Sequence, residues 1–87
     1  MTVVKYKNIS TQEMVEAQRF DGSDKSVDWL LPQLISGKIG RSYNKLHMKT
    51  LDGVKQANVG DYIVKNTKGE FHPCEFVVFE KTYKRIK

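Results

Sequence analysis

The chain is short and basic: 87 residues carry fifteen Lys and Arg against ten Asp and Glu, a formal net charge of +5 at pH 7. A hydrophobic fraction of 39% excludes a disordered chain, and the length predicts one domain over residues 1–87. The single cysteine excludes an internal disulfide, no Cys/His set has zinc-ligand spacing, and no apolar run approaches the roughly 18 residues that span a bilayer, so neither metal, cofactor nor membrane is expected.

The first predicted elements are a strand over residues 13–20 and a helix over residues 23–37. The apolar residues at helical spacing in the second segment are Val27, Leu30, Leu31 and Leu34. Pro32 removes an amide donor inside this pattern, which predicts a kink or two short helical pieces, and Gly37 is a natural helix end. Trp29 lies on or beside the apolar stripe and is expected in the core.

The rest of the chain predicts an antiparallel meander. The predicted strands are residues 39–51, 54–58, 62–66 and 70–74, with Asp52-Gly53 as a hairpin turn between the first two. Residues 76–85 form a helix or a strand, and the four-residue spacing of Phe79 and Tyr83 favours a helix. The predicted fold class is therefore α+β: one early α-helix packed on a small antiparallel β-meander, a single sheet, with a short C-terminal helix.

One face of the predicted strand 39–51 carries the residues of greatest functional interest. These are Arg41, Tyr43, Lys45, His47 and Lys49. Alternate residues of a strand share a face, so lysines for phosphates, an arginine fork, a histidine and a stacking tyrosine would lie together. Lys65, on a neighbouring strand, could extend the surface. The plainer interpretation is a solvated face, since cations on exposed strands guard an edge against aggregation, and the sequence leaves both open.

An enzyme is not expected. His72-Pro73-Cys74 places a thiol near an imidazole in sequence, but a nucleophile also needs an oxyanion site and an orienting group, and a buried apolar cysteine is the commoner role. The carboxylates are scattered, with no pairing that predicts acid/base catalysis.

Two segments resemble a widespread family of small phage and prophage proteins. The run ANVGDYIVKNTKGEFHPC at residues 57–74, followed by FEKTY at 79–83, is similar to the family's C-terminal signature, and MVEAQRF at 14–20 resembles its opening strand. Between residues 23 and 50 only the layout matches. The sequence departs from the pattern at Val59, where proline is usual, at Asn66 for glycine, at His72 for tyrosine and at residues 75–77, which puts the start of the terminal helix in doubt.

The resemblance implies that the protein is a member of the anti-CBASS sponges. These proteins bind and sequester the cyclic oligonucleotide signals of bacterial immunity and do not cleave them. It implies a homo-oligomer, dimer or tetramer, that binds a cyclic dinucleotide in the cytoplasm of the infected bacterial host. Residues 41, 43, 45, 47 and 49 lie outside the shared signature. Two alternatives stay open: a phage single-stranded nucleic-acid-binding protein that uses the same face, and a small protein inhibitor of a host enzyme that acts through an apolar patch around Trp29 or Phe76.

Overall fold

Short strands and helical segments account for most of residues 3–86, the part of the chain that the computed structural model describes. The strands are β1 (Val4–Asn8), β2 (Met14–Arg19), β3 (Ile39–Ser42), β4 (Lys45–Thr50), β5 (Gly53–Asn58), β6 (Tyr62–Lys65), β7 (Phe71–Cys74) and β8 (Tyr83–Arg85). The helical segments are a 3₁₀ helix (Lys25–Leu30), α1 (Leu31–Ser36) and α2 (Phe76–Thr82). The predicted α+β class is confirmed.

The described strands form two antiparallel sheets where the sequence predicted one. The larger has the order β7-β6-β2-β1-β8, and the smaller is the meander β3-β4-β5. Strand β1 was not predicted. It pairs with β2 on one side and β8 on the other, and its Val4 and Tyr6 alternate with Lys5 and Lys7, the pattern of a half-buried strand.

The larger sheet is covered on both faces. Ile63 and Val64 are consecutive in β6 and therefore point to opposite faces, yet they are only 1% and 0% exposed. Ile63 belongs to a core built with the early helix and the smaller sheet. Val64 belongs to a second core that α2 closes with Phe79. The smaller sheet thus packs its inner face, which carries Leu46, Met48 and Ala57, against the first core, and its outer face is directed to solvent.

The early helix breaks where the sequence predicts. A 3₁₀ helix runs to Leu30, and α1 begins at Leu31 with Pro32 in its first turn, where the missing amide donor costs nothing. Gly37 ends α1 with φ +83°, in the left-handed region that glycine tolerates. Leu31 is exposed, contrary to its place on the predicted stripe, because the change from 3₁₀ to α geometry rotates the buried face. Trp29 packs against the first core as expected.

The C-terminal segment contains both elements that the sequence offered: α2 followed by β8. The Phe79 ring stacks on Tyr62 with centroids 3.8 Å apart and on Tyr83 at 4.9 Å, so the predicted Phe79–Tyr83 contact is confirmed. Tyr6 meets the same ring edge-on at 4.8 Å. Because these rings come from β1, β6 and β8, Phe79 ties the terminal helix to three strands.

Replacing Phe79 with Ala should lower the free energy of unfolding by about 3–5 kcal/mol, a large share of the stability of a small domain. Phe79 is 1% exposed, so its removal leaves a cavity among aromatic rings. The measurement is urea unfolding followed by circular dichroism. Phe76→Ala, in the same helix at 40% exposure, is the matched control and should cost far less. Equal losses in the two variants would contradict the described core.

Candidate functional site

The structure divides the predicted strand 39–51 into two strands. The prediction that one face carries all the odd-numbered residues from 41 to 49 is therefore wrong in part. Strand β3 ends at Ser42, Tyr43 and Asn44 turn the chain, and β4 begins at Lys45. Ser42 pairs with Lys45 and Arg41 with Leu46. Cross-strand partners share a face of a sheet. Odd-numbered residues of β3 therefore share a face with even-numbered residues of β4. Arg41 lies with Leu46 on the inner face, which packs against the core, and Lys45 lies on the opposite face.

Arg41 is held by the loop that precedes the early helix. Its Nη1 atom donates to Asp24 Oδ1 at 2.7 Å, and its Nη2 atom donates to the Gly22 carbonyl at 2.9 Å. Asp24 is 93% exposed, so the ion pair is solvent-screened and contributes modestly, but the two bonds fix the guanidinium toward the protein. Arg41 thus braces the loop at residues 22–24 and does not stand with the other predicted site residues.

Three of the predicted residues do lie together. Lys45, His47 and Lys49 alternate along β4 and point away from its buried residues Leu46 and Met48. His47 Nε2 is 3.0 Å from Ser42 Oγ, a contact across to β3 on the same face. The partners on β5 are all exposed: the polar Asn58 lies opposite Lys45, the polar Gln56 opposite His47 and the apolar Val54 opposite Lys49. We call this surface the outer face.

The smaller sheet has an unbalanced charge. Strands β3, β4 and β5 contain Arg41, Lys45, Lys49 and Lys55 together with His47, and none of their residues is Asp or Glu. Among residues 3–86, Arg41 is the one cation of this sheet that forms an ion pair with a carboxylate. A surface with several cations and no carboxylates between them has a positive electrostatic potential that attracts anions.

The remaining two predicted residues flank this surface differently. Tyr43, at the β3–β4 turn, is 94% exposed, and so it offers a free ring beside Lys45. Lys65 belongs to the larger sheet, where its Nζ atom is 4.0 Å from Glu16 Oε1 and 5.8 Å from the Phe71 ring centroid. Lys65 therefore lies in a mixed-charge row and does not extend the outer face.

A cleft that the sequence does not predict adjoins the outer face at Lys49. It encloses about 600 Å³ between the end of the β4 hairpin and the β6–β7 turn, within the volume range of small-molecule sites. Its lining is mostly apolar, with Ile39, Met48 and Phe71 among the contributors. No local sequence signal marks it, because its two sides, residues 38–52 and 66–72, belong to different hairpins and meet only in the folded protein.

His72 and Cys74 lie on β7, one residue apart, and both favour their neutral forms. Burial lowers the pKa of His72, although Glu13 and Glu70 act in the opposite direction. Burial also raises the pKa of the Cys74 thiol, and Asp61 and Glu75 add to that rise. An activated cysteine nucleophile needs a lowered thiol pKa. Cys74 is half-buried, less than the sequence predicts, and packs against the second core.

No family model, curated protein or solved structure matches the chain. Within residues 3–86, no helix has both the length and the apolar character needed to cross a membrane. The same residues contain no group of three or more His, Cys, Asp and Glu side chains that could hold a metal ion.

We expect the stability of the protein to depend on pH, because His72 is half-buried. Its unfolded pKa is about 6.5 and its folded pKa is lower, so the unfolded state binds the proton more readily and the free energy of unfolding should fall as pH drops through that window. Urea unfolding between pH 7.5 and 5.5 measures the slope. His72→Gln should flatten this slope, because it removes the group whose pKa differs between the folded and unfolded states. An unchanged slope in His72→Gln would contradict the assignment.

Proposed function

We propose that the protein binds cyclic dinucleotides on the outer face and sequesters them without cleaving them. The observation that carries the proposal is the row Lys45, His47 and Lys49 on a sheet whose strands contain no carboxylate. A cyclic dinucleotide presents two phosphates and two bases. The outer face offers cations for the first and hydrogen-bonding or stacking groups for the second.

The spacing on β4 supports separate roles for its side chains. Alternate residues of a strand are about 7 Å apart, which places Lys45 and Lys49 about 13 Å apart with His47 between them. The two lysines can therefore each meet a different phosphate, and His47 can donate between them. Gln56 and Asn58, directly across on β5, have amides that can both donate to and accept from base edges. Tyr43 supplies a freely exposed ring on which a base can stack.

Tight sequestration requires more than one open face. A sponge that competes with a receptor needs nanomolar affinity, about 12 kcal/mol, against the ordering costs of binding. A ligand lying on one sheet keeps its opposite side in water. We therefore propose a homo-oligomer in which two outer faces enclose the ligand, acting in the cytoplasm of an infected bacterial host as the resemblance implies.

Binding of single-stranded nucleic acid is the second candidate, and the open outer face favours it. The face follows a strand whose outward residues are exposed or partly exposed, so it would also accept a long backbone with successive phosphates. This function would show an affinity that grows with oligonucleotide length and falls steeply with salt. A cyclic dinucleotide site would be indifferent to strand length.

Inhibition of a host enzyme through an apolar patch is a third candidate, and α2 supports it better than Trp29 does. Phe76, Val77 and Val78 are consecutive and each at least 40% exposed. Trp29 is instead half-buried against Phe71, with ring centroids 5.7 Å apart. The Phe76 ring is partly covered by the Arg19 guanidinium, 4.7 Å from its centroid, so the cyclic dinucleotide proposal remains the better supported.

The double substitution Lys45→Ala and Lys49→Ala should weaken cyclic dinucleotide binding by at least a hundredfold, since each charged hydrogen bond to phosphate contributes about 1.5–3 kcal/mol. Calorimetric titration measures the affinity. Both residues are exposed, so the fold should be retained.

The matched control is Lys81→Ala with Lys84→Ala, which removes the same charge from exposed positions on α2 and β8. Its affinity should stay within a few-fold of the natural chain. Equal weakening in the two double variants would mean that only net charge matters and would overturn the outer face as a site.

A further inference from the structure

The cleft at the end of β4 has a floor suited to a planar ring. Ile39 and Met48 reach it from the inner face of the smaller sheet, and Phe71 reaches it from β7. Ile39 and Met48 are almost completely buried and Phe71 is half-buried. Packing in the first core therefore fixes the positions of the three side chains that form the floor. Apolar walls contributed by rigid strands are typical of preformed small-molecule sites.

The rim of the cleft carries both signs of charge. Lys38 and Lys49 lie side by side, because the Lys49 amide donates to the Lys38 carbonyl at 3.3 Å. Asp52 and Asn66 line the cleft too, as does Glu70, whose Oε1 atom accepts from Asn66 Nδ2 at 2.9 Å. The rim therefore offers cations for an anionic group and oxygen acceptors for amino groups.

A nucleotide satisfies both parts of this site. Its base is a planar ring with exocyclic amino or ring N–H donors, which suit the carboxylates of Asp52 and Glu70, and its phosphate suits Lys38 and Lys49. A purely apolar ligand would leave the rim groups unused, and a simple phosphate would leave the floor unused. The occupant that fits the whole site is a base that carries a phosphate.

We infer that the cleft is a base-binding pocket in which one base of a nucleotide lies against the half-buried Phe71, over a floor of Ile39 and Met48, while Lys49 directs its phosphate onto the outer face. The inference rests on the proposed function, and it extends that function from an open surface to an anchored ligand. Lys49 lies on the outer face and also lines the cleft, so one ligand can occupy both.

The test is a heteronuclear NMR titration of the full chain with adenosine and guanosine 5′-monophosphates and with the corresponding cyclic dinucleotides. Amide shifts at Thr50, Leu51, Gly69 and Phe71 report on the cleft, and those at residues 45, 47 and 56 report on the outer face. Both the monophosphates and the cyclic dinucleotides should shift the cleft amides. Trp29 fluorescence gives a second readout, because its ring contacts Phe71.

The possible results separate the inference from the proposed function. If cyclic dinucleotides shift only the outer face, the base pocket is wrong and the proposed function stands. If only the cleft amides shift, the pocket is right and the outer face is not part of the site. If no nucleotide shifts either group, both are wrong.

A variant pair sharpens the assignment of the rim. Lys38→Ala should weaken binding of the 5′-monophosphates roughly three- to tenfold, since it removes one of two exposed cations near the phosphate. Lys84→Ala, which removes a distant exposed lysine on β8, should leave that affinity unchanged. Equal affinities of the two variants would remove Lys38 from the site.

Discussion

The burial of two consecutive side chains, Ile63 and Val64, is the constraint on which the rest of the structure depends. A strand can bury neighbours only if its sheet is covered on both faces. In this chain α2 covers one face, and the early helix and the smaller sheet cover the other. The smaller sheet must therefore give its inner face to the core through Leu46, Met48 and Ala57. Its alternate residues, Lys45, His47 and Lys49 among them, are left to solvent, so the core determines which residues form the outer face.

Local patterns predicted the elements whose signals lie within one segment. The break at Pro32, the helix end at Gly37 and the hairpin near Asp52-Gly53 follow from backbone chemistry and need no tertiary context. The Phe79–Tyr83 contact follows from helical spacing, although Tyr83 already begins β8. The sequence pattern does not predict β1, because its alternation is weak and rests on two apolar residues, Val4 and Tyr6.

The candidate site was predictable only in part, and the β3–β4 turn explains why. A two-residue turn pairs positions three apart, so odd positions before it share a face with even positions after it. Alternation alone cannot detect this exchange. Two signals were present: Asn44 is a turn-forming residue, and a strand over residues 39–51 would exceed the usual length of roughly three to ten residues. Lys45, His47 and Lys49 stayed together because they share β4, whereas Arg41 lies across the turn. The cleft needs two hairpins to meet and has no counterpart in the sequence pattern.

We propose that the outer face binds cyclic dinucleotides as intact ligands. The most direct measurement is calorimetric titration of the natural chain with a panel of cyclic dinucleotides and with a single-stranded oligonucleotide, at two salt concentrations, followed by recovery of the nucleotide after denaturation. We expect tight, saturable binding of a cyclic dinucleotide that is recovered uncleaved. Absence of heat with every cyclic dinucleotide, or binding of the long strand alone with steep salt dependence, would contradict it.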